Sequence, residues 1–186
     1  SGHSLGGALS PVLALWLQDE VLPTTVNVTA NIYAGATPGN AAFQQYYNSR
    51  PLAQYTQVVD NSLDMVPHAW GADTLAAIPS LYEANIPGST DCVGPLVTFA
   101  TNYILAPNAG VGMPINPQAD PEFALGFNTA VVPMPPPSML STVLSIAYGG
   151  DEQKTATCTP IVSAFMSQAS WQHTGAYKTY LAPVSV

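Results

Sequence analysis

"SGHSLGGALSP", residues 1–11, is the stretch that decides the fold. Within it Gly2-His3-Ser4-Leu5-Gly6 has the form G-x-S-x-G. That spacing suits a strand turning sharply into a helix, with the central serine at the turn. There Ser4 is expected to hold a strained backbone conformation with its hydroxyl pushed out of the fold. Side chains at Gly2 and Gly6 are expected to collide with the neighbouring strand and helix, so glycine suits both positions. Ser4 is then either a nucleophile or an ordinary serine in a glycine-rich turn.

Working outward, Leu5 to Gln18 is apolar nearly all round, which predicts a helix buried on most sides. Pro11 is expected to bend it. Val26 to Tyr33 predicts a strand with Val26, Val28, Ala30 and Ile32 on one face and Asn27, Thr29 and Asn31 on the other. That alternation fits a strand with one face only partly covered. "ATPGN", residues 36–40, reads as a turn. Asn40 is placed to cap a helix reaching Ser49, with Phe43, Tyr46 and Tyr47 inward. Gln54 to Asp60 predicts a second strand. The order elbow, helix, strand, helix, strand is an α/β pattern with parallel strands. After Asp64 the pattern changes: residues 71–140 hold most of the prolines. Leu96–Leu105 and Met139–Tyr148 read as short helices between loops, and a helical pattern returns from Pro160 and runs to "SQASWQHTGAYKTYL", residues 167–181.

Composition narrows the function. The chain has 186 residues, of which 47% are apolar, enough for one domain with a core and too many for general disorder. No apolar run reaches the roughly 18 residues that span a bilayer, so stable membrane insertion is not expected. No basic segment marks a signal peptide at the start. Charged residues are 8%, against about 25% in an average protein. Three Lys and Arg stand against eleven Asp and Glu, a net charge of −8. Nucleic-acid binding is excluded on this balance, because phosphate contacts need Lys and Arg. Few lysines with many prolines, Asn, Ser and Thr fit a secreted protein. Cys92 and Cys158 form no C-x-x-C and do not suggest a metal site. In a secreted protein they are expected to pair; otherwise they are two unrelated buried thiols.

A serine nucleophile needs a base within hydrogen-bond reach, and the base needs an orienting carboxylate. The histidines are His3, His68 and His173. His3, on a strand leading into the elbow, should point away from Ser4. In the α/β-hydrolase plan the order is serine, acid, histidine, with the histidine on a loop near the last strand. His173 satisfies that order with any upstream aspartate. His68 satisfies it only with Asp19, Asp60 or Asp64, and lies too near the last two to be set opposite them. Asp60 and Asp64 both follow the strand ending at Val59, where a carboxylate faces the ligand crevice of a parallel sheet. Spacing alone leaves both open.

"GHSLGGAL", residues 2–9, resembles the elbow of the class 3 lipases, the fungal triacylglycerol-lipase-like family of α/β-hydrolases. "YAGATPGNAAFQQYY", residues 33–47, resembles the family's strand, turn and helix. "VVDNSLDMVPH", residues 58–68, resembles its acid loop, which assigns Asp64 rather than Asp60. "WQHTGAYKTYL", residues 171–181, resembles its terminal segment with the catalytic histidine. The resemblance implies an α/β-hydrolase-type fold, a mostly parallel sheet with flanking helices. It implies a catalytic triad of Ser4, Asp64 and His173, with the Leu5 backbone N–H in the oxyanion hole. The family's earlier strands, second oxyanion donor and lid lie upstream of the elbow. Residues 1–186 therefore read as a single partial domain, with residues 71–159 as an irregular cap or insertion. Met113, Phe123, Phe127, Met134 and Met139 are expected either to wall an acyl site or to pack without touching substrate. The implied activity is hydrolysis of carboxylic esters, chiefly acyl glycerols, with no metal or cofactor and at most transient contact with a lipid interface. The rival readings are a short-chain or aromatic-acid esterase, or a catalytically silent binding module.

Overall fold

The computed structural model describes residues 1–69, 71–102, 122–123, 125–133, 135 and 138–182. They divide into two compact units. The first holds residues 1–69, 71–74 and 122–123; the second holds the rest.

The first unit is built on a parallel sheet. Strand β1 (Gly2–His3) leads into helix α1 (Leu5–Trp16), which continues as a wider turn over Leu17–Val21. Strand β2 (Ala30–Tyr33), helix α2 (Ala41–Asn48) and strand β3 (Thr56–Asn61) follow. The two-residue strand β4 (Glu122–Phe123) closes the order β1-β2-β3-β4. The register aligns Gly2 with Ile32, Ile32 with Val58, and Asp60 with Glu122, all in parallel. The core sets Ala14 and Leu15 of α1 against Ala30 and Ile32 of β2, Val58 of β3, and Tyr47, Leu52 and Ala53.

Several expected elements shift. β2 is shorter than the alternation over Val26–Tyr33 implied, although Ala30 and Ile32 do share the buried face. Asn40 caps α2, its side-chain oxygen accepting the Phe43 N–H at 3.1 Å. Tyr47 is buried and its hydroxyl lies 2.6 Å from that of Thr56. Tyr46, expected inward, is exposed instead: its hydroxyl donates to Asp19 at 3.0 Å and its ring lies under Arg50. The reason is the Arg50–Asp19 ion pair at 2.6 Å, which offers Tyr46 a polar partner outside the core.

Helix α1 departs most from expectation. It buries only the face carrying Gly7, Pro11, Ala14 and Leu15. Leu5 (71% exposed), Leu9, Val12, Leu13 and Trp16 lie open. An all-apolar sequence signals that a helix should be covered; which faces are covered depends on the elements packed around it. Pro11 is accommodated inside the helix on its buried face.

The second unit is helical. After a short helix, α3 (Ala72–Ala77), that straddles the division, it comprises α4 (Ser89–Ala100), α5 (Leu140–Ala147) and α6 (Glu152–Leu181). α5 agrees with the apolar segment from Met139. The expected helix at Leu96–Leu105 is instead centred earlier, and residues 103–105 lie outside the described ones. α6 starts eight residues before Pro160 because Asp151 caps it, accepting the Lys154 N–H at 2.8 Å. Cys92 of α4 and Cys158 of α6 are joined by a disulfide, so the pairing alternative holds. Tyr82, Val93, Leu144, Val162 and Phe165 are buried in this unit, with the Tyr82 and Phe165 rings 4.7 Å apart. Glu83 accepts the N–H groups of Thr90 (2.6 Å) and Gly88 (2.8 Å) and the Ser89 hydroxyl (2.9 Å) at the start of α4.

Candidate active site

Ser4 holds φ 59° and ψ −124° between β1 and α1. An L-residue at that positive φ is strained, and such strain persists only where the surroundings over-determine it. Here the Ser4 N–H donates to Tyr33 O at 3.0 Å, and its carbonyl accepts the Ala8 N–H at 3.0 Å. The chain is thereby pinned to β2 on one side and to the first turn of α1 on the other. A Cβ on Gly2 would overlap the Gly6 carbonyl, which explains the first glycine of the motif. Gly6 corrects the expectation, since a Cβ there meets nothing within 4 Å. The tight position is Gly7, whose added Cβ would lie 2.9 Å from both Gly35 Cα and Tyr33 O. The close approach of α1 to the end of β2 therefore depends on Gly7. The sequence signal for it was the doubled glycine, "GG".

Ser4 lies just past the carboxyl end of β1, and Asp64 just past the carboxyl end of β3. With all strands parallel, both residues belong to the same edge of the sheet, the edge where α/β folds bind ligands. Leu5, the first residue of α1, has its N–H among the first-turn donors that no helix satisfies internally.

Asp64 is completely buried. Its Oδ1 accepts the Val66 N–H at 2.9 Å, and its own N–H donates to Asn61 O at 2.8 Å. Asp60 is part of β3 itself, paired in register with Glu122, whereas Asp64 stands on the loop beyond. His68 belongs to that same loop, with Nδ1 2.8 Å from the Asp64 carbonyl oxygen. His3 is exposed on β1. His173 is half-buried within α6 and belongs to the second unit. The loop histidine of the α/β-hydrolase plan is thus corrected, while the helical pattern read from Pro160 holds: the segment "WQHTGAY" continues a 30-residue helix. Next to it, Gln172 is fully buried and donates to Gly126 O at 2.8 Å.

Of the residues expected to wall an acyl site, Phe127 packs edge-on against Tyr82 within the second unit, and Met139 is exposed. Met113, Met134 and the Phe123 side chain lie outside the described residues. No cluster of metal-ligating side chains is present among the described residues. No described helix is long and apolar enough to cross a membrane.

The strand–serine–helix elbow on a parallel sheet with flanking helices defines an α/β-hydrolase-type fold. The crystal structure of M37 lipase matches it with a TM-score of 0.55 at 22% identity, over 95% of this chain and 50% of that one. The chain thus spans about half the length of that lipase. Residues 1–74, which carry the elbow, the β2 turn and the acid loop, match the family described as lipase (class 3). Residues 1–74 are thus similar to the class 3 lipases, and the likeness to M37 lipase is one of fold. No curated protein matches the chain.

Proposed function

We propose that this protein is a serine ester hydrolase acting on carboxylic esters, with acyl glycerols as the leading substrate class. The observation that carries the reading is the backbone of Ser4, a non-glycine residue held at φ 59° on a G-x-S-x-G turn. In this reading Ser4 Oγ attacks the ester carbonyl while His173 takes its proton. The tetrahedral oxyanion is met by the Leu5 N–H. Collapse breaks the ester C–O bond, His173 returns the proton to the leaving alcohol, and an acyl-enzyme remains. Water, deprotonated by His173, then releases the acid and restores Ser4. Asp64 orients the imidazole. The Cys92–Cys158 bond favours an oxidising, extracellular setting.

Hydrolysis of p-nitrophenyl and glyceryl esters of graded chain length tests the reading. Ser4→Ala is expected to abolish turnover while leaving the far-ultraviolet dichroism unchanged. Asp64→Asn is expected to cut kcat by about 10³-fold or more, whereas Asp60→Asn retains most activity. Retained activity in Ser4→Ala removes Ser4 from the chemistry, and the opposite ranking of the two aspartates moves the acid to Asp60.

A further inference from the structure

The loop after β3 holds a second histidine that the proposed chemistry leaves unused. Its Nδ1 lies 2.8 Å from the carbonyl oxygen of Asp64, four residues back. A carbonyl oxygen can only accept, so this contact requires the proton on Nδ1. Pro67 lies between, with fixed φ and no N–H of its own. The far end of the loop is tied down as well. Thr74 Oγ1 donates to His68 O at 2.9 Å, and the Ala69 N–H donates to Val66 O at 2.9 Å.

From these contacts we infer that His68, as its Nδ1–H tautomer, is a positioning residue for the acid loop. This rests on reading Asp64 as the catalytic acid. The contacts that hold Asp64 include its N–H to Asn61 O, its Oδ1 from the Val66 N–H, and its carbonyl from His68. Neither of the first two involves the peptide after Asp64. The third closes a ring from residue 64 to residue 68 and fixes that peptide. With backbone and Oδ1 both set, the direction of the second carboxylate oxygen is set too. An orienting group misplaced by about 1 Å can lower a rate by about 10²-fold, so a clamp on the backbone bears on kcat without touching substrate.

Three substitutions separate this role from packing. Asn places its amide N–H near the position of Nδ1, Gln reaches toward that of Nε2, and Ala supplies neither. His68→Ala and His68→Gln are expected to lose roughly tenfold or more in kcat with KM unchanged, and His68→Asn to recover most of the loss. Independently of activity, ring carbon and nitrogen shifts of the neutral imidazole are expected to report the Nδ1–H tautomer. An Nε2–H tautomer, wild-type kcat in all three variants, or Asn no better than Gln and Ala overturns the inference. Failure of the underlying reading is distinct: Asp64→Asn at the wild-type rate removes the acid, while the tautomer still tests the clamp.

Discussion

Ser4 bears a backbone strain of about 1–3 kcal/mol. Glycine would relieve it but brings a larger entropy loss on folding, about 0.5–1 kcal/mol. Ser4→Gly is therefore expected to raise stability by about 1 kcal/mol, read as a higher urea midpoint, while Ser4→Ala keeps the strain and leaves the midpoint near that of the parent. Glu83 makes a second prediction at this scale. The backbone N–H groups of Thr90 and then Gly88 hold its carboxyl near 2, below the ordinary 4.5. The folded value is the lower one, so the stabilisation is present above pH 4.5 and is lost as pH falls toward 2. Glu83→Gln is expected to lower the melting temperature at neutral pH and to flatten its fall across that acid window; an unchanged acid limb would remove Glu83 from the linkage. The elbow serine and its first glycine were legible because φ > 0 and close approach leave few residue choices. The Glu83 clamp was not, because a carboxylate gathering N–H groups several residues away leaves no periodic mark.

Among the elements, α4 and α6 show what a covalent tie contributes. Cys92 and Cys158 are both buried and close a loop with a sequence separation of 66. In the chain-entropy view such a loop is worth at most about 4 kcal/mol. Replacing both cysteines by serine is expected to lower the unfolding free energy by up to that amount, measured by urea denaturation without reductant; no change would mean the second unit is held by packing alone. Sequence left the pairing open, since two distant cysteines carry no geometry. It identified α1, β2, α2 and β3 in order because their periodicities are local. It misjudged the surroundings of α1, where Leu5, Leu9, Leu13 and Trp16 stand exposed, because an apolar residue states a preference and its neighbours decide burial. The α/β-hydrolase plan put the histidine on a loop, whereas the helical pattern read from Pro160 through "SQASWQHTGAYKTYL" is what the structure has, in a helix capped upstream at Asp151.

For the molecule as a whole, the proposed chemistry rests on Ser4, Asp64 and His173. A protein that kept the fold without the chemistry would retain the elbow but would not activate its serine. Reaction of the purified protein with a fluorophosphonate ester, followed by mass mapping of the labelled peptide, separates these cases most directly. The account expects one adduct on Ser4 in the wild type, and none in Ser4→Ala or His173→Ala variants that melt like the parent. Labelling of a different serine, or no adduct in a protein that is folded, would contradict the assignment of Ser4 as an activated nucleophile and favour a silent binding module.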